Sequence, residues 1–196
     1  MPNWCCTAYA IEGDAQEVKA LYELMKELEE KETPTVENGF GTSWLGCLVD
    51  ALNVDWHNVP CRGLWEGLEF DGCVLAFWTT TAWDSCNEVF DLVRKKFPSL
   101  HYYYRAEEPG MGYYCTNDVE GKYYPDRYII DLRTDKGDWQ TEYFTDLPSL
   151  YEWLEDIAGV PIRSEQNIQA LMQKWEEVSP DTYININEFE VVEDWR

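Results

Sequence analysis

The run Leu64-Trp65-Glu66-Gly67-Leu68-Glu69-Phe70-Asp71-Gly72-Cys73-Val74-Leu75-Ala76-Phe77-Trp78-Thr79 decides the fold. Two apolar, aromatic-rich stretches, Leu64–Phe70 and Cys73–Thr79, flank Asp71-Gly72, a dipeptide whose tolerance of positive φ suits a two-residue hairpin turn. Upstream, residues 4–11 are aromatic and small-apolar without a helical stripe, and Glu12-Gly13-Asp14 closes them with turn chemistry. Asp14 is placed to cap a helix in which Val18, Leu21, Tyr22, Met25 and Leu28 recur at spacings of three and four, with Glu23, Glu27, Glu29 and Glu30 on the other side and an end before Pro34. Downstream, Ala82–Phe97 carries Trp83, Val89, Phe90, Val93 and Phe97 on one stripe and closes with Lys95, Lys96 and Pro98, which predicts a second helix. His101–Arg105 reads as the next strand.

Strand, helix, hairpin, helix, strand is the split βαβ order, so the fold class expected is α+β: a ferredoxin-like antiparallel sheet backed by two helices. Residues 33–62, with Pro34, Gly39, Gly41, Gly46 and Pro60 around an apolar piece from Trp44 to Leu52, read as an irregular insertion holding one helix. Gly112–Asn117 adds a strand, and Tyr128–Arg133 pairs with Trp139–Phe144 across Asp135-Lys136-Gly137-Asp138, a meander expected to extend the sheet. Two more amphipathic helices follow, one on Leu147, Leu150, Tyr151, Leu154 and Ile157 and stopped at Gly159, one on Ile168, Leu171, Met172, Trp175 and Val178. Tyr183–Val192 is the final strand. The core is expected over residues 1–121, with 122–196 a C-terminal extension packed on it, because 119–127 holds no Ser/Pro-rich linker.

Composition narrows function. With 45% hydrophobic and 15% aromatic residues the 196-residue chain folds. Its 15 basic against 38 acidic residues leave a net charge of −23, well outside the magnitude of roughly 2–8 common for small soluble domains. Cationic side chains supply most affinity for phosphates and anionic lipid, so neither nucleic acid nor membrane is an expected partner. The acidity is general: residues 1–66, 67–121 and 122–196 carry −8, −5 and −10. A start without a basic and apolar leader predicts a cytoplasmic protein. Seven cysteines, with no Cys-x-x-Cys pair, read as free and mostly buried thiols.

Four motifs, Met1-Pro2-Asn3-Trp4-Cys5, Trp78-Thr79-Thr80-Thr81-Ala82-Trp83, Phe97-Pro98-Ser99-Leu100 and Glu108-Pro109-Gly110-Met111-Gly112, taken in order, resemble the YubB-type ferredoxin-like domain of plasmid, phage and some bacterial proteins, over about residues 1–120. The resemblance implies a ferredoxin-like fold and a mobile-element setting, and no catalytic residue. The insertion at 33–62 and the long C-terminal part depart from the family pattern. It singles out Asn3, Trp4, Trp83, Glu108, Gly110 and Gly112 as motif residues. Read without the resemblance, Trp4 and Trp83 clamp the first strand to the second helix, and Gly110 and Gly112 serve a turn.

Catalytic inventory is thin. His57 and His101 are the only histidines, neither lies in His-Glu-x-x-His, and there is no Gly-x-Ser-x-Gly elbow. Gly39-Phe40-Gly41 and Gly110-Met111-Gly112 lack the third glycine and the lysine of phosphate loops. His57-x-x-x-Cys61, with Cys47 and Cys73 flanking, lacks the close cysteine pairs of structural zinc and reads as buried thiols. Pro2 would suit an amine base, but Met1 blocks it. Trp65-Glu66, Trp153 with Glu155, and Trp175-Glu176-Glu177 read as solvated surface charge ahead of a sugar platform. No enzyme activity, cofactor or metal is expected, and the alternative is a small-molecule or enzymatic site near His57, His101 and Glu108.

The sequence therefore predicts an interaction protein, monomeric or a small homo-oligomer, that binds a basic protein, in one form a nucleic-acid-binding protein whose DNA it mimics. The carboxylates at helical neighbour spacing, Glu23, Glu27 and Glu30 on the first helix and Glu152, Glu155 and Asp156 on the later one, are the candidate contacts. Set beside this is the reading in which acidity serves solubility alone.

Overall fold

The computed structural model describes residues 3–193; Met1 and Pro2, on which the amine-base reading turns, lie outside the described residues. Strand β1 (Trp4–Glu12) alternates buried Cys5, Thr7, Tyr9 and Ile11 with outward Trp4, Cys6 and Ala8, the period of two that a half-covered sheet imposes. It lies between β3 (Val74–Ala82) and β4 (His101–Glu108), antiparallel to both, with Tyr9 opposite Phe77 on one side and Tyr104 on the other. β2 (Gly63–Phe70) pairs with β3, and β5 (Tyr113–Thr116) with β4, giving the order β2-β3-β1-β4-β5. Val192 returns to this sheet, its N–H donating to Thr116 O.

Helices α1 (Ala15–Glu29) and α3 (Glu88–Lys96) and the short α2 (Leu45–Ala51) share one core with the inward face of that sheet. Asp14 caps α1, its Oδ1 accepting from Gln16 N–H at 2.9 Å, and Val18, Leu21, Met25 and Leu28 are buried. Each such side chain contributes about 1.5–3 kcal/mol. Tyr9 sits at the aromatic centre, 5.2 Å from Phe77 and 4.3 Å from Phe90.

Three details differ from the sequence reading. The hairpin turns on Gly72 and Cys73, one residue later than expected, with Asp71 N–H bonded to Val74 O and positive φ at Gly72 alone; glycine at the first central position is the II′ pattern, whereas the I′ pattern needs positive φ at both. The segment 33–62 holds the one helix expected of it, α2, whose Leu45, Cys47, Leu48 and Val49 are fully buried in the core; a 3-10 turn, Trp56–Asn58, follows. The second helix starts at Glu88, not Ala82: β3 runs on through Ala82, and Trp83 is left-handed at φ +77 and 45% exposed. Neither Trp83 nor Trp4, 44% exposed, is the buried clamp expected of it.

The third concerns the meander. β6 (Tyr128–Arg133), β7 (Trp139–Phe144) and β8 (Tyr183–Glu188) form a separate antiparallel sheet ordered β7-β6-β8, so they do not extend the first. The last strand breaks at buried Phe189, whose N–H bonds Arg127 O, before the two-residue β9 (Glu190–Val191). Helices α4 (Leu147–Ala158) and α5 (Glu165–Glu176) join this sheet in a second core of Ile130, Leu132, Leu150, Leu154, Leu171 and Trp175. Asp146 caps α4 through Ser149 N–H, and Gly159, left-handed, ends it. Val178 lies past the end of α5 and is exposed. The described residues thus fall into two compact units, 3–119 with 192–193, and 120–191. Among them no helix is long and apolar enough to cross a membrane.

Candidate functional site

Residues of three of the motifs meet at one end of the first sheet. β1 begins there, β3 ends there, and β4 turns into β5 there. Glu108, 2% exposed, accepts from Gly110 N–H at 2.8 Å and Met111 N–H at 2.7 Å, and Asn3 Nδ2 lies 3.5 Å from its Oε2. Trp83 N–H donates to Asn3 O at 2.9 Å. A side chain at Gly110 would collide with Asn3 and Glu108. Asn3, Trp83, Glu108 and Gly110 therefore make a structural knot, in which a buried carboxylate holds the 109–112 turn by charge-assisted bonds. Gly112 serves the same turn at φ +67. Trp4 pairs across to Ala82, with its ring outward.

Beside the knot, on the helix side of the sheet, lies a cleft of about 400 Å³, lined within the first unit by the 84–88 loop, Asp91 of α3, β4, β5 and residues 192–193. Asp84, Glu88, Asp91 and Glu193 bring carboxylates to it, and Tyr102, Tyr104 and Tyr113 bring rings. The loop is built by hydrogen bonds around Asp84: its Oδ1 accepts Cys86 N–H, its main-chain oxygen accepts the Thr81 hydroxyl, and its Oδ2 pairs with Arg62. Tyr9 anchors the floor, its one hydroxyl hydrogen lying between two acceptors, Ser85 O at 2.9 Å and Asn87 Oδ1 at 2.7 Å. Tyr102 donates to Asp91 Oδ1 at 3.0 Å, and the Tyr113 and Ser85 hydroxyls lie 3.4 Å apart. The 83–86 segment holds two of the three described non-glycine residues with positive φ, Trp83 and Cys86, a conformation that persists only where its surroundings enforce it.

The cleft is lined by more acidic than basic groups, with Asp84 paired to Arg62 at its edge and Asp91 accepting the Tyr102 hydroxyl. Carboxylates attract cations, and the chain's own Arg94 already sits over the Tyr102 ring, 5.9 Å from its centroid. The cleft's nucleophile-type groups are not activated: burial pushes the Cys86 thiol up to about 12 and raises the Tyr113 hydroxyl as well, opposite to the shift a reactive thiolate requires. Sequence reasoning missed the cleft because it carried one helix through 82–97. The helix begins after Asn87 with no side-chain cap bond, so no capping pattern in the sequence marked its start.

The other candidates disperse. His57 lies in the exposed 3-10 turn, stacked 3.7 Å from Trp56, with Nδ1 2.7 Å from Asp55 Oδ1. His101 and Glu108 occupy opposite ends of β4, roughly 23 Å apart at the rise of an extended strand, so the structure does not gather His57, His101 and Glu108 into one site. Cys47 and Cys61 are buried while Cys73 is exposed, and among the described residues no three His, Cys, Asp or Glu side chains converge to hold a metal. The α1 carboxylates are interleaved with lysines: Glu23 pairs with Lys19, Glu27 with Lys31, and Glu30 with Lys26. On α4, Glu155 pairs with Arg163, beside Glu152 and Asp156 on the same helix.

Family models, curated proteins and solved structures offer no match to this chain.

Proposed function

We propose that this chain is a non-enzymatic interaction module that binds a basic protein, with the Asp84–Tyr113 cleft gripping a cationic side chain of that partner. The cleft carries the proposal: four carboxylate residues and three tyrosines line one cavity of about 400 Å³ in a chain of net charge −23. Long-range charge steers a basic partner inward, and the cleft adds a defined place to seat it. The lysines threaded through α1 break its carboxylate row, which favours recognition of individual cationic side chains over a phosphate-like line of charge.

In this proposal the first unit is a YubB-type ferredoxin-like domain of mobile-element origin. Supporting it are the strand order β2-β3-β1-β4 with helices after β1 and β3, and the motif residues Asn3, Trp83, Glu108 and Gly110 meeting in one knot. The test is calorimetric titration of the full chain with a short lysine- and arginine-rich peptide at low and high salt. Stoichiometric binding that weakens with salt, and weakens further in a Glu88→Gln/Asp91→Asn variant, is the expected result. Absence of binding at low salt overturns the basic-partner reading, and an unaffected double variant removes the cleft from it.

A further inference from the structure

The face of the first sheet turned away from its helices carries an aromatic feature of its own. Gly67 interrupts β2 with a register shift between Glu66 and Glu69, at φ +66. A Cβ built there would stand 2.0, 2.1 and 2.7 Å from Cζ3, Cη2 and Cε3 of Trp78 on the neighbouring strand. Three adjacent atoms of a six-membered ring share such distances only with a point above the ring plane, so the indole lies face-on across the glycine. Packing explains that covered face. Trp78 as a residue is still 47% exposed, so its solvent-facing surface lies on the side away from the glycine.

What surrounds the ring selects the occupant. Glu66 stands directly across from Trp78 in the β2–β3 register, is exposed, and lies 3.4 Å from the Thr80 hydroxyl. Glu69 follows just beyond the bulge and is also exposed. A flat electron-rich face beside carboxylates complements a flat cation, and the guanidinium is the planar cation of proteins: it stacks on indole and fills a carboxylate with parallel N–H groups, while an ammonium does neither as well. The charge of −23 works against a second copy of this chain on the same face.

We propose that Trp78 and Glu66 form an arginine-reading platform, on which a guanidinium of the basic partner lies against the open face of Trp78 and donates to the Glu66 carboxylate. This rests on the basic-partner reading and adds to it a preference for arginine over lysine at a place separate from the cleft.

The experiment compares a short Arg-Gly repeat peptide with its Lys-Gly counterpart, titrated into the full chain. The wild type is expected to bind the arginine peptide about two- to fivefold more tightly. Trp78→Leu should erase that preference, weakening the arginine peptide more than the lysine peptide. Glu66→Gln, an exposed substitution that spares the core, should weaken the arginine peptide about twofold. Equal binding of both peptides by the wild type, or an arginine preference that survives Trp78→Leu, overturns the platform and leaves the basic-partner reading standing. Failure of both peptides to bind overturns both. A wild-type dimer that Trp78→Leu converts to monomer assigns the face to a second copy and overturns the platform.

Discussion

Gly67 and Gly112 provide an internal comparison that tests the Trp78 geometry without any ligand. Both are left-handed, at φ +66 and +67, but a Cβ at Gly112 meets nothing within 4 Å while one at Gly67 lands on the indole. Gly112→Ala should therefore cost only the left-handed penalty of an L-residue, about 1 kcal/mol. Gly67→Ala incurs the same penalty and also lifts Trp78 off the bulge. The indole offers up to roughly 250 Å², and a little over half is covered here. Losing on the order of 60 Å² of that cover costs about 1.5 kcal/mol at 25 cal/mol per Å². Gly67→Ala should then destabilise the first unit by about 2.5 kcal/mol, some 1.5 kcal/mol more than Gly112→Ala. Urea titration read through hydrogen exchange of β1 and β3 amides isolates that unit, and an unchanged m-value confirms that the same surface is exposed. Equal losses in the two variants would refute the face-on packing, and with it the open platform.

Other consequences are open to simple measurement. Glu108→Ala removes two charge-assisted bonds to the 109–112 turn, and should cost about 2–3 kcal/mol in chemical denaturation because water reaches the exposed donors and recovers part of the loss. Asn3→Ala gives up one long contact at 3.5 Å and should stay within about 0.5 kcal/mol. In native thiol titration Cys6 and Cys73 should react, while Cys5, Cys47, Cys61, Cys86 and Cys115 wait for unfolding; prompt reaction of all seven would contradict the burial described. Burial lifts Cys5 and Cys61 to about 11 and Cys86 to about 12, from 9.0. Above pH 9 the unfolded chain sheds thiol protons that the folded chain keeps, so the stability these thiols lend is whole below pH 9 and lost as pH climbs toward 11–12. A urea midpoint that stays level across that window would count against their burial.

Much of the secondary structure was legible because its causes are local. Asp14 caps α1 where its side chain meets the next turn's N–H groups, and the spacing of Val18, Leu21, Met25 and Leu28 marks the buried stripe without knowledge of what covers it. Tyr128–Arg133 and Trp139–Phe144 pair in the register that alternation and the intervening turn imply. The start of α3 was misread because Trp83 continues a helical spacing in sequence while Asn3 and Asp84 hold its segment left-handed in space. The C-terminal strands were misassigned because a strand's pattern says which face is buried and not which sheet it joins.

By itself the sequence determined the elements, the hairpin between β2 and β3 and the acidity of the whole chain, all properties that neighbouring residues or simple counting specify. Only the tertiary structure decided which acids act together. Asp84 and Glu193 stand over a hundred positions apart yet line one cleft, Glu108 is buried by a turn and by Asn3, 105 positions earlier in the chain, and Glu66 becomes the neighbour of Trp78 through strand register. Spacing along the chain carries no record of such pairings, because they are selected by packing against a shared core after the local elements have formed.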